Sequence, residues 1–137
     1  MSESPFFANA INLLNAFTEA ETGIFTGTRV PSERPARFIR TTRTGGFRRD
    51  VITDVARITF ECWGGTATEA EHDAQTVRDL YFRSRGTVLS NTEARFTIHR
   101  VEEIAAPADN PDPDSDAARY TLTLEVHLRG RMLRSIS

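Results

Sequence analysis

Six arginines stand at 34, 37, 40, 43, 48 and 49 in the run RPARFIRTTRTGGFRRD (34–50), which holds no acid before Asp50. Guanidinium groups gathered this closely bind phosphate or carboxylate through planar, two-pronged hydrogen bonding. Arg34, Arg37, Arg40 and Arg43 repeat every three residues, which on a helix would draw one stripe. Pro35, the threonines and Gly45-Gly46 argue instead for a strand hairpin with its turn at the glycines. On a strand, period three sends Arg34 and Arg40 to one face and Arg37 and Arg43 to the other. No single phosphate-reading face results, and only Phe38 and Phe47 offer aromatic surface for stacking on single strands. Arginines on both faces, with Arg48 and Arg49 past the tip, suit insertion between protein surfaces. The expected role of Arg34, Arg37, Arg40, Arg43, Arg48 and Arg49 is a subunit interface, with a neighbour's carboxylates as partners.

Other chemistry is thinly represented. All 17 basic residues are arginine, so a phosphate-binding loop lysine and a Schiff-base amine are both excluded. The lone Cys62 rules out an internal disulfide and a multi-thiolate zinc site. It falls on the apolar parity of a strand and reads as a small core residue. His72, His99 and His127 lie on three separate elements without metal-ligand spacing, so no metal and no cofactor are expected. DPDSD (112–116) opens like a calcium-binding loop but has Ala117 and Thr123 where glycine and glutamate are required; it reads as a solvated loop. Glu61 and Glu125 both sit on wet strand faces and could be neighbours, but nothing places them around a cleft. Asp54 stands on the parity that becomes apolar, which marks a bulge or a strand entry. No catalytic constellation emerges, and the chain is not expected to be an enzyme.

The elements that hold these residues follow from periodicity. Phe7, Ile11 (with Ala10), Leu14 and Phe17 form one stripe on a helix over 6–20. Strands are expected at 24–30, 36–44 and 50–63, the last with Ala56, Ile58, Phe60 and Cys62 facing inward. Thr66 and Glu69 have capping-box spacing at the start of a helix within 64–86, where Gly86 is placed to follow its end. The inner face of that helix is Ala67, Ala70, Ala74, Val77, and Leu80 or Tyr81. Strands at 94–102 and 118–129 complete the set, the second with five apolar residues in strict alternation from Tyr120 to Leu128. Between them, 105–117 reads as an acidic proline/aspartate loop. Residues 1–5 and 130–137 read as flexible tails. The expectation is one domain over 1–137, of class α+β, with a mostly antiparallel sheet of about five strands, two packed helices and order α-β-β-β-α-β-β.

No apolar run approaches a membrane span, and no basic leader precedes Arg29, so a soluble chain without a signal peptide is expected. Charge is unevenly spread: residues 1–28 and 101–137 each carry −3, and residues 29–100 carry +4. A basic middle between acidic ends suits self-complementary assembly, in which one subunit's basic face meets the next one's acidic face.

Three runs, VPSERPARFIRTTRTGG (30–46), DVARITFECWGGTATEAEHDAQTVRDLYF (54–82) and RYTLTLEVHLRG (119–130), together resemble the tail terminator proteins of long-tailed (siphovirus-type) bacteriophages. The likeness rests on Pro31, Arg34, Pro35 and Phe38 before Gly45 and Gly46, then on Trp63, Glu69 and Ala70 at the entry to the central helix, then on Tyr120. It covers nearly the whole chain. It implies a small α+β subunit of a homohexameric ring on the head-proximal end of the tail tube. That ring ends tube polymerisation and joins the tail to the head connector, without catalysis or cofactor. Implied partners are the chain itself, the major tail tube protein, a head–tail connector or stopper protein, and genome DNA passing through the lumen without sequence-specific binding. The implied location is the neck of the virion, after assembly in the host cytoplasm. Another neck ring protein, a head–tail stopper or adaptor, is the alternative; a nucleic-acid-binding module using the arginine hairpin is a further one.

Overall fold

Alternation in two strands builds the centre of the molecule. In β3 (Thr53–Gly64) and β6 (Ala118–Met132), Ala56, Ile58, Phe60 and Cys62 stand opposite Val126, Leu124, Leu122 and Tyr120 in antiparallel register. Cross-strand partners share a face, so these rungs make one apolar surface, and all of them except Tyr120 are buried. The computed structural model describes residues 5–33, 35–50, 52–92, 94–115 and 117–132. Around the central pair, β2 (Phe38–Arg48) joins β3, β5 (Ala94–Asp109) joins β6, and the short β1 (Thr26–Gly27) and β4 (Val88–Ser90) lie at the edges. The order β1-β2-β3-β6-β5-β4 is antiparallel at every pair except β1–β2. The expected α+β class with a mostly antiparallel sheet therefore holds.

Helices α1 (Pro5–Thr22) and α2 (Ala67–Phe82) contribute to the same apolar cluster as that surface. Thr66 caps α2: its hydroxyl accepts from the Glu69 N–H, and the Glu69 carboxylate accepts from the Thr66 N–H. Small Ala70 and Ala74, both fully buried, form part of the inner face of α2, beside Val77, Leu80 and Tyr81. Ala67, expected on that face, is exposed, and Asp73 takes a buried place. In α1 the buried stripe is Ala10, Leu13 and Leu14, with Ile11 and Phe17 packed at its margin; the Phe7 side chain lies outside the described set. Two polar residues are buried with it. Asn15 Oδ1 accepts from the Thr41 hydroxyl at 2.6 Å, and Thr18 shares a 2.8 Å hydrogen bond with the Tyr81 hydroxyl, which satisfies groups whose burial alone would be costly.

Five expectations are corrected. Gly45-Gly46 is not the hairpin turn. β2 runs through it to Arg48, and the register slips by one residue between Arg43 and Gly45. Gly46 has φ +102°, and a Cβ there would lie 2.0 Å from the Val55 carbonyl oxygen. The glycines thus permit a bulge, and the two strands are joined beyond Arg48, where the Arg49 N–H donates to the Thr53 carbonyl. The loop expected at 105–117 is strand as far as Asp109; register shifts between Ala105 and Ala108 bracket Pro107, which has no N–H to donate. Of the strand expected at 24–30, only Thr26–Gly27 pairs. β4 was not foreseen, and it makes the sheet six-stranded. At the ends, Pro5 is helical and 130–132 belong to β6; residues 1–4 and 133–137 lie outside the described residues.

Cys62 is fully buried among these strands, as its parity suggested, and burial pushes its thiol well above the ordinary range. Burial does the same to the Tyr81 phenol. Both groups stay neutral in the fold, whereas in the unfolded chain they ionise from about pH 8.5 and about pH 10 upward. Their contribution to stability is complete below about pH 8.5 and is lost as pH rises beyond it. A urea-midpoint series from neutral to alkaline pH should show this fall. Cys62→Ala should flatten its first part, and a thiol reagent should reach Cys62 only in the unfolded chain.

Candidate functional site

Among the described residues, Arg37, Arg40 and Arg43 of the interface set find carboxylates within their own chain. Arg37, just ahead of β2, forks onto Asp73 of α2, with Nε 3.0 Å from Oδ2 and Nη2 on Oδ1. Asp73 is almost wholly buried, and its carboxylate raises the guanidinium pKa above its ordinary value. Arg40 reaches Glu61, its register partner on β3, at 3.3 Å. Arg43 also forks: Nη1 and Nη2 donate to the two Asp54 oxygens at 2.9 and 2.8 Å. Asp54 is fully buried on the apolar parity of β3, so the carboxylate at the strand entry is an anchor for Arg43. As strand parity requires, Arg40 and Arg43 lie on opposite faces of the sheet. Arg34 lies outside the described residues.

Arg48 and Arg49 sit differently. Both are exposed at the β2–β3 connection, where Arg48 Nε donates to the Asp50 carbonyl at 3.2 Å and the Arg49 N–H donates to the Thr53 carbonyl at 2.9 Å. The antiparallel register carries this connection to the same end of the sheet as Arg129, opposite Thr53, and Arg95 near the start of β5. Arg95 and Arg129 are exposed as well. The β5–β6 turn at the other end carries exposed Asp109 and Asp114. Asp112, between them, is turned inward, where its carboxylate accepts from the Asp114 N–H and the Ser115 hydroxyl. The strands therefore have a basic end and an acidic end.

The sheet face away from the helices is polar and laced with charge. Arg57 donates to Glu125 Oε2 through Nε at 3.2 Å and Nη2 at 2.8 Å, and Thr59 and Thr123 share a hydroxyl bond of 2.9 Å. Glu61 and Glu125 are not neighbours: they face Thr121 and Arg57 respectively, two same-face rungs apart. Glu125 instead meets Glu102 of β5, its register partner, with His127 beside both. These three are the group among the described residues whose ligand atoms converge closely enough for a metal ion. Burial holds the His127 imidazole below its ordinary pKa, with Arg49 adding to that effect. Sequence reading missed Asp54, Asp73 and Glu102 as partners, because each pairing depends on a contact between distant segments. For Asp54 a signal was present, since a carboxylate on an apolar parity requires a cation.

No helix among the described residues is long and apolar enough to cross a membrane. A scan of family models finds no match to the chain, and a search of curated proteins finds none either.

Proposed function

We propose that this chain is a structural subunit of a phage tail neck, a tail terminator whose homohexameric ring caps the head-proximal end of the tail tube. The ring ends tube polymerisation and offers its other surface to the head connector, while genome DNA passes through its lumen. The observation that carries this reading is the charge polarity along the strands: Arg48, Arg49, Arg95 and Arg129 at one end, Asp109 and Asp114 at the other. A subunit with unlike ends makes head-to-tail contacts, and such contacts close into a ring when the rotation between neighbours allows it. The motifs around Pro31–Gly46, Trp63–Ala70 and Tyr120 support the same reading.

The pairings of Arg37, Arg40 and Arg43 refine the arginine hairpin. Their charge is met inside the subunit, where it ties β2 to α2 and β3. Assembly then relies on the β2–β3 connection that carries Arg48 and Arg49. The test is co-sedimentation of the full chain with tail tubes built from the major tail tube protein. Added chain should cap the tubes and halt their growth; tubes that elongate unchanged refute the terminator role, and binding to the connector alone assigns the chain to another neck ring.

A further inference from the structure

His127 is a buried imidazole without a hydrogen-bond partner among the described residues. Its side chain is 4% exposed, and among the described residues neither Nδ1 nor Nε2 has a partner. Leaving such a group unsatisfied is costly to the fold. Nε2 is aimed at two carboxylate oxygens: Glu102 Oε2 at 3.7 Å and Glu125 Oε1 at 3.9 Å. All three atoms lie within 4.8 Å of one another. Both distances are too long for hydrogen bonds.

The other oxygen of each carboxylate is already held. Arg57 takes Glu125 Oε2, and Arg100 Nη2 lies 2.6 Å from Glu102 Oε1. The arginines thus orient the glutamates so that one oxygen of each turns to the imidazole. Glu102 and Glu125 are also directly opposite in the β5–β6 register, a placement that is destabilising for like charges unless something lies between them.

We propose that Glu102, Glu125 and His127 form a binding site for a divalent first-row transition ion of the zinc type. Ligand atoms around a tetrahedral zinc with bonds of about 2.0–2.1 Å lie about 3.4 Å apart. The two imidazole–carboxylate spacings, 3.7 and 3.9 Å, need to close by only about 0.3–0.5 Å to reach that value. One imidazole and two carboxylates suit zinc or manganese better than calcium, which takes six to eight oxygens. Arg57 and Arg100 act as the outer shell that fixes the carboxylates. They also offset the carboxylate charge, so the imidazole nitrogen sets the preference for zinc over magnesium. This inference is independent of the ring reading.

The test is calorimetric titration of Zn²⁺ into the full chain after chelator treatment, with Co²⁺ as a spectroscopic probe. The expected result is one equivalent per chain, undisturbed by excess Mg²⁺, with visible Co²⁺ bands showing a nitrogen ligand. Glu102→Gln and His127→Gln should each weaken binding by at least about tenfold. Glu102 is 41% exposed, so its variant keeps the fold if the buried histidine variant does not. Absence of Zn²⁺ binding by the wild-type chain overturns the proposal. So does unchanged affinity in folded Glu102→Gln, which would assign any bound zinc to His72 or His99.

Discussion

Arg43→Ala is expected to destabilise the fold by about 3 kcal/mol, the lower end of the range for breaking a buried ion pair from one side. The reason lies with its partner. Asp54 is fully buried on the core-facing parity of β3, and both of its oxygens are held by Arg43. Removing the guanidinium leaves a carboxylate that neither water nor a neighbour fully compensates. Arg48 stands opposite Asp54 in the register and keeps one cation nearby, which is why the lower figure applies. Asp54→Ala should cost less, because the Arg43 side chain is 21% exposed and can turn to solvent. Replacing both with apolar residues of similar volume, Arg43→Met with Asp54→Leu, should recover much of the loss. Urea midpoints at constant m-value measure all three. A loss under about 1 kcal/mol for Arg43→Ala, the level of a surface pair, would falsify the anchoring role. Against a typical total of about 5–15 kcal/mol, the expected loss is large.

The second large effect concerns assembly. Arg48→Glu, Arg49→Glu, Arg95→Glu and Arg129→Glu together turn the basic end acidic, and Asp109→Arg with Asp114→Arg turns the acidic end basic. In a head-to-tail ring each variant alone meets its own copies with like charge, so neither should assemble. An equimolar mixture should assemble, because each reversed end then finds a complementary neighbour. Subunits must alternate in such a ring, which a six-membered ring permits and an odd-membered one does not. Assembly of either variant by itself removes these ends from the interface. Both failing alone and together removes the head-to-tail arrangement while leaving the fold intact.

What the sequence made legible was local. Thr66 and Glu69 announced the start of α2, and the alternation from Tyr120 to Leu128 announced β6, because each signal is complete within a few residues. Gly45-Gly46 misled for a related reason: a glycine pair serves a turn or a bulge equally well, and the choice depends on how Val55 approaches from β3. Pro107 likewise looked like loop, yet an irregular stretch of β5 accommodates it. The arginine partners were least legible. Arg37 reaches Asp73 across 36 residues, and Arg57 reaches Glu125 across 68; such distances are set by topology rather than by spacing. The convergence of Glu102, Glu125 and His127 arises from the β5–β6 register, including the slip between Ile98 and Arg100 that sets Arg100 opposite His127. No periodicity in either strand encodes that slip.

The central claim, that this is a ring subunit, is tested most directly by native mass spectrometry of the full chain over rising concentration, alone and with tail tubes. The account predicts a species of six times the 15.4 kDa chain mass, populated as concentration rises or when tubes are present. A chain that stays monomeric throughout and does not bind tubes contradicts it.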